Sequence, residues 1–414
     1  MRIGFVSTRL AGTDGVSLET AKLAAILRRM GHEVFYCAGE LDPGGPPGLW
    51  VPEMHFTYAE ARRIHDEAFI GPAPEDLRAR ISEMAERLKE QLALFVMRFS
   101  IDVLFPQNAL AIPMHIPLGV ALTDFIAETA IPALAHHHDL YWERERFSHC
   151  AVPDIVERAF PPDLPSVHHW VINSLAQRAL QQRKGIEAQV IPNIFDFATP
   201  APVPDAFVAD LRPALGLELE DRLILQPTRV IPRKGIELAI ELVHQLGDPH
   251  CKLVITHAAG DEGLAYLHSL QLLAKDAGID LRYAADCFAP MRHVTPEGKK
   301  IYSLWDAYPQ ADFVTYPSLI EGFGNAFLEA IYFRRPLLVN RYPVYAADLA
   351  SLGFRCVEID GAMTAQAVGA VRQLLEDAAL RSTVVEHNFA LARRHFSYEA
   401  VAPQLENALL SAVK

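Results

Sequence analysis

The stretch Glu321-Gly-Phe-Gly-Asn-Ala-Phe-Leu-Glu329 sets two carboxylates eight residues apart, the first in a glycine loop and the second inside the helix expected to follow. A carboxylate does not bind phosphate, but it accepts hydrogen bonds from ribose or hexose hydroxyls. The loop itself suits phosphate, because a strand–loop–helix turn aims free N–H groups and the positive end of the helix dipole at one spot. Sugar-binding carboxylates beside a phosphate cradle point to a nucleotide-sugar. A second stretch, Gln226-Pro-Thr-Arg-Val-Ile-Pro-Arg-Lys-Gly235, also follows a predicted strand and opens a helix. Its Arg229 and Lys234 offer a planar fork and a point charge to a diphosphate. Fixed cations there stabilise a departing diphosphate as the glycosidic bond breaks, without a metal.

The run His136-His-His-Asp139 ends a predicted strand, where ligand sites of α/β sheets lie. A histidine at that point can donate to a sugar hydroxyl. Consecutive residues of a strand face opposite ways, so three adjacent histidines do not easily share one ion, and no metal site is expected. In Tyr141-Trp-Glu-Arg-Glu-Arg-Phe147 the aromatics can stack on sugar rings, and Arg144 or Arg146 can hold an anionic acceptor; the alternative is a surface helix start with paired charges. Asn108, just past the strand ending at Phe105-Pro106, is a further first-domain candidate, and His257 follows the strand Leu253–Thr256 as a core or rim histidine.

The elements that must carry these groups alternate as in doubly wound folds. Ile3–Ser7 reads as a strand, the loop 9–15 follows, and a helix runs from Ser17, a plausible N-cap, to Met30, stopped by Gly31. Residues 41–73, rich in Pro and Gly, read as an irregular excursion; a charged amphipathic helix spans 74–99, and a helix near 114–130 leads to the strand before His136. A proline-bearing linker covers 193–205, after which strands and helices alternate again: strands near 222–227, 252–256, 281–284, 312–316, 337–339 and 357–359, helices at 235–246, 262–277 and from about 325, and a closing helix 398–413. Strand, helix and strand in close succession imply parallel sheets.

Bulk properties bound the rest. A chain of 414 residues, half of them apolar and 21 % charged, is an ordinary soluble composition spread over two or three cores. The formal charge of −13 argues against a nucleic-acid surface. Five scattered cysteines without a CxxC pair fit reduced thiols and a cytoplasmic location. Neither a signal peptide nor a transmembrane run is visible.

With these residues in hand the chain resembles the family-4 glycosyltransferases. The resemblance rests on PSLIEGFGNAFLEA, the E-x7-E motif, on the Arg229–Lys234 turn, and on the opening strand and glycine loop. It implies an α/β GT-B fold, two Rossmann-like domains facing across a cleft: an acceptor domain over 1–196, a nucleotide-sugar domain over 197–396, and a helix 397–414 returning to the first. It implies retaining, metal-independent hexosyl transfer from a UDP- or GDP-sugar, with no cofactor. By resemblance, Arg229 and Lys234 hold the diphosphate, and Glu321 meets the donor hexose near the reacting centre. Glu329 holds the ribose, and Gly322, Phe323, Gly324 and Asn325 lie along the donor, with Gly15 of the first loop. His138 contacts the donor sugar.

Two departures stand out. Thr228 precedes Arg229 where the family often has glycine, and Gly12-Thr-Asp-Gly15 replaces paired glycines, so Asp14 is a candidate for the acceptor along with Asn108 and Arg144. Residues 1–196 carry 18 Lys and Arg against 25 Asp and Glu, which disfavours a polybasic membrane anchor and favours a soluble acceptor, a sugar or a glycerate-type acid. Other readings are a nucleotide-sugar epimerase of the same fold, which would act on donor alone, and a non-catalytic nucleotide-sugar binding protein.

Overall fold

The structure, a computed structural model, describes residues 1–260 and 264–413. The chain forms two compact units, Met1–Ile194 with the closing helix Tyr398–Ala412, and Phe195–Ser397. The first divide falls slightly before the boundary read from the linker, because Phe195 is tied into the second unit. Its N–H donates to the Phe396 carbonyl at 2.8 Å, and its ring packs on Tyr332 and Trp305.

In the first unit, strands β1 (Arg2–Ser7), β2 (Glu33–Ala38), β3 (Gly48–Trp50), β4 (Val103–Pro106), β5 (Ala133–His137), β6 (Val167–Val171) and β7 (Ala188–Val190) form one sheet in the order β3-β2-β1-β4-β5-β6-β7. Every pairing is parallel, with β1 in register against β2 from Arg2↔Glu33 and against β4 from Ile3↔Val103. The central strands are buried on both faces, as parallel strands flanked by helices must be. One face packs on the helices Leu77–Phe99 and Ile116–Thr129 through Leu88, Leu92, Phe95, Leu122 and Ile126. The other packs on Gly15–Arg29 and Tyr398–Ala412 through Leu23, Leu27, Val401 and Leu405.

The second unit holds β8 (Arg222–Gln226), β9 (Cys251–Ile255), β10 (Asp280–Tyr283), a short ribbon β11 (His293–Val294) and β12 (Lys300–Ile301), and β13 (Phe313–Tyr316), β14 (Leu337–Asn340) and β15 (Val357–Ile359). Its parallel sheet runs β10-β9-β8-β13-β14-β15. The order reverses between β8 and β13, so the loops leaving these two strands splay apart at a topological switch point, where ligands of open α/β sheets bind. Both motif loops begin there.

Some expectations are corrected. The first helix is capped by Asp14, not Ser17, and starts at Gly15. Residues 41–73 are not all irregular: they contain β3 and the helix Ala59–Phe69, whose Ala61, Ile64, Ala68 and Phe69 are buried. The expected helix near 262–277 is Ala265–Asp276, and its predicted start falls partly outside the described residues. The sequence reading passes over the helices Ala365–Glu376 and Ala378–Phe396.

Candidate active site

The second unit brings its two motif loops together. Gly235, at φ +59°, closes the turn after Lys234, and a Cβ there would lie 2.6 Å from the Pro317 carbonyl. The Leu319 N–H donates to the Arg233 carbonyl at 2.8 Å, joining the loops backbone to backbone. In this join Lys234 Nζ donates to Glu321 Oε1, while Arg233 Nη1 lies 3.4 Å from Glu321 Oε2. The Lys234 and Glu321 side chains are only 11 % and 9 % exposed, so this ion pair is shielded from water. Burial pushes the Glu321 carboxyl up, but the Lys234 ammonium, its hydrogen bond and Arg233 outweigh that and hold it below its usual range. The Tyr316 ring lies 5.9 Å from Lys234 Nζ.

The glycine loop is held from beneath. Gly324 has φ +118°, and a Cβ on it would stand 2.8 Å from the hydroxyls of both Tyr316 and Tyr342. The Tyr342 hydroxyl donates to the Phe323 carbonyl. Asn340 ties the preceding segment, donating from Nδ2 to the Ser318 carbonyl at 3.1 Å. From Gly324 the helix Asn325–Tyr332 starts without a side-chain cap. Glu329 lies in this helix and accepts from the Tyr308 hydroxyl at 2.8 Å, which fixes one of its oxygens. Phe323 is buried, whereas Gly322 and Asn325 are half-buried.

Arg229 is exposed at the end of the β8 loop. Thr228, which stands where glycine was expected, is buried: its Oγ1 accepts from Gln226 Nε2 at 2.7 Å, and Gln226 Oε1 accepts from Thr315 at 2.7 Å. The extra side chain is thus spent inside the sheet. His257 belongs to the same cluster. Burial, then the charges of Lys234 and Arg229, press its imidazole down to about 4, so it is neutral at pH 7.

Of the first-unit candidates, Asp14, Asn108 and Arg146 line a cavity of about 210 Å³ together with Arg9, Gln107 and Asp139, whereas Gly15 and His138 do not. Asp14 caps the first helix, its Oδ1 accepting from Val16 and Ser17 N–H at 3.1 and 3.2 Å and its Oδ2 from Arg9 at 3.0 Å. Gly15 is exposed as the first residue of that helix. Asn108 sits at φ +57°, and its Oδ1 accepts from the N–H groups of His138 and Asp139 at 3.0 and 3.3 Å, so it shapes the end of β5. His138 is buried, its Nε2 3.3 Å from Gln107 Oε1, and burial lowers it to about 4. Arg144 does not line the cavity; it is paired with Asp139 at 2.6 Å. Tyr141–Glu143 and Glu145–Phe147 are two short 3-10 turns, and Trp142 stacks under Arg183 at 5.2 Å.

Three site groups escaped the sequence reading. Arg233 stands inside a quoted motif, yet its role depends on a partner 88 positions away. Gln107 bridges Thr20, His136 and His138, and a lone glutamine in a strand end carries no sequence signal. Tyr308 is likewise visible only through its bond to Glu329. Among the described residues no group of His, Cys, Asp and Glu is arranged to hold a metal ion. Among the described residues no helix is long and apolar enough to cross a membrane.

No family model matches the sequence. The chain is 34 % identical over 379 residues to the mannosylglucosylglycerate synthase of Petrotoga mobilis, covering 87 % of this chain and 86 % of that protein. It is 32 % identical over 449 aligned positions to the synthase of the same name from Thermotoga maritima, covering 99 % and 100 %. Among solved structures it is similar to sucrose-phosphate synthase of Thermosynechococcus elongatus, with a TM-score of 0.67 and 17 % identity over 99 % of each chain. It is also similar to Anabaena HepE in complex with UDP-glucose, with a TM-score of 0.68 and 15 % identity over 99 % of this chain and 100 % of the other. At such identities these two speak for the fold, which is GT-B. The E-x7-E loop, the cationic turn packed on it and the two relatives together lead to one conclusion: this chain belongs to the mannosylglucosylglycerate synthase family of GT-B glycosyltransferases.

Proposed function

We propose that this protein transfers a mannosyl group from a nucleotide-sugar to glucosylglycerate, with retention of configuration and without a metal ion. The observation that carries the reading is the pair of synthases at 34 % and 32 % identity, whose shared name describes a mannosyl group added to a glucosylated glycerate. The second unit would hold the donor. Lys234 and Arg229 would face the diphosphate, and the uncapped start of Asn325–Tyr332 would add its dipole. Glu329, steadied by Tyr308, would accept from the ribose hydroxyls. Glu321, already engaged by Lys234 and Arg233, is a poor nucleophile, which favours front-face attack with the departing phosphate taking the acceptor proton over a glycosyl-enzyme. Its place is to hold Lys234 beside the reacting hexose.

The test is direct. Purified protein incubated with GDP-mannose and glucosylglycerate, in parallel with the other GDP- and UDP-hexoses, is followed by NMR of the product. A new α-mannosidic linkage from an α-linked donor supports the reading. A β-linkage refutes retention, and no transfer from any of these donors refutes the proposed reaction.

A further inference from the structure

The cavity of the first unit is bordered by four formally charged side chains, Arg9, Asp14, Asp139 and Arg146. Three of them are neutralised within the protein. Arg9 pairs with Asp14 at 3.0 Å, and Asp139 pairs with Arg144 at 2.6 Å. The lining histidine, His115, is committed as well: Nδ1 accepts from the Leu118 N–H at 3.1 Å, Nε2 lies 2.8 Å from the Glu53 carbonyl, and burial keeps it neutral. Arg146 remains. No carboxylate among the described residues pairs with it, and its guanidinium rests 4.8 Å from the Phe147 ring centroid, which holds it without consuming its charge. Counted with Arg144, whose charge offsets that of Asp139, the charged groups around the cavity leave one net positive charge, enough for one monoanion.

A second feature points to a ligand at this place. Gln107 is fully buried, lines the same cavity, and its Nε2 has no hydrogen-bond partner among the described residues. An unpaired amide in such a position costs free energy unless a bound group completes it. Its Oε1 lies 3.3 Å from the Thr20 hydroxyl, 3.1 Å from His136 Nδ1 and 3.3 Å from His138 Nε2, which places the amide beside the end of β5.

Resting on the reaction proposed above, we infer that Arg146 is the carboxylate anchor of the acceptor site and sets the preference for an acidic acceptor, with the Gln107 amide donating to an acceptor oxygen. A guanidinium takes a carboxylate through two parallel N–H···O bonds, geometry that a hydroxymethyl group cannot match. Of the two arginines that the sequence offers in Glu143-Arg-Glu-Arg146, the structure withdraws Arg144 into its pair with Asp139 and leaves Arg146 for the ligand.

The experiment compares glucosylglycerate with glucosylglycerol, in which CH₂OH replaces the carboxylate, on wild type, Arg146→Gln and Arg146→Lys. Acceptor binding is read by titration calorimetry and transfer by initial rates, with the donor KM as the check on folding. Wild type should favour the acid by about 10- to 100-fold. Arg146→Gln should lose that preference with the donor KM unchanged, and Arg146→Lys should restore part of it. If Arg146→Gln transfers and retains the wild-type preference, the anchor is assigned wrongly while the reaction stands. If wild type binds the acid, loses it on Arg146→Gln, and yet transfers no mannose, the anchor stands and the reaction is wrong. A wild type that binds neither compound overturns both.

Discussion

The Lys234–Glu321 pair allows stability and catalysis to be separated by one double-mutant cycle. Both side chains are about nine-tenths buried and each is the other's principal counter-charge, with Arg233 a weaker second partner for the carboxylate. Lys234→Met leaves a buried carboxylate facing only Arg233, and Glu321→Gln leaves a buried ammonium. Breaking such a pair from one side costs about 3–5 kcal/mol, while removing both charges together is often close to neutral. For a unit the size of Phe195–Ser397, with about 2–4 °C per kcal/mol, each single variant should lower Tm by about 6–20 °C. The double variant should recover most of this loss. Turnover should not recover with it, because the cation proposed to face the diphosphate is absent from both Lys234→Met and the double variant; each should lose about 2–4 kcal/mol of barrier lowering, roughly 30- to 1000-fold in kcat/KM. Differential scanning calorimetry and donor-saturated initial rates read the two effects. Additive losses in Tm, or near-wild-type turnover in the double variant, would refute the dual role. The loop position of Lys234 suggests from sequence that its loss leaves the fold intact; its burial reverses that expectation.

The two motif carboxylates should fail differently: Glu329→Gln should mainly raise the donor KM and Glu321→Gln mainly lower kcat, a split read from donor titrations at saturating acceptor, with the reverse pattern exchanging their roles. Gly324→Ala puts a methyl 2.8 Å from two tyrosine hydroxyls at φ +118°, and should abolish turnover; a variant with wild-type rates would mean that the loop takes another shape. Activity should persist in excess EDTA, whereas loss that Mg²⁺ or Mn²⁺ reverses would overturn the cation-only diphosphate site. Burial lowers His115, His138 and His169 to about 4 against an ordinary 6.5, so the unfolded chain takes up protons first as pH falls. Their stabilisation is complete above pH 6.5 and drains toward pH 4, at up to about 1.4 kcal/mol per histidine per pH unit; a urea midpoint that does not drop between pH 7 and pH 5 contradicts this.

How much of this was legible in the sequence follows from the range of each interaction. The E-x7-E motif was readable because strand, glycine loop and helix are consecutive, so local signals place both Glu321 and Glu329. The cationic turn was readable for the same reason. Which groups meet was not readable: Lys234 and Glu321 lie 87 positions apart, and their contact depends on β8 and β13 being neighbours in the sheet. The choice between Arg144 and Arg146 was open for a similar reason, since it turns on where Asp139 falls after β5. The helix Ala59–Phe69 was hidden by the surrounding Pro and Gly, and only its burial against the Leu77–Phe99 helix reveals the apolar face. In the sequence Asp14 stands out only as a departure from paired glycines; its place as the helix cap depends on the turn that brings its carboxylate onto the Val16 and Ser17 N–H groups.

That cap bears on the proposed division of donor and acceptor between two such similar α/β units. Each unit has a glycine-bearing loop that leads into a helix, and a helix start attracts whatever negative group is nearest. In the first unit that group is built in: the Asp14 carboxylate takes the N–H groups of Val16 and Ser17 and the hydroxyl of Ser17, and Arg9 neutralises it. A phosphate approaching there would have to displace a carboxylate held by four donors. In the second unit the helices Ile236–Leu246 and Asn325–Tyr332 begin at Gly235 and Gly324, neither with a side-chain cap, and Arg229 and Lys234 stand in the turn before the first of them. The electrostatic preference for a diphosphate is therefore in the second unit. The cavity of the first, with its single uncompensated guanidinium, suits a smaller, singly charged molecule. This asymmetry, set by whether the helix start is closed by a carboxylate or left to the ligand, supports placing the donor on Phe195–Ser397 and the acceptor on Met1–Ile194.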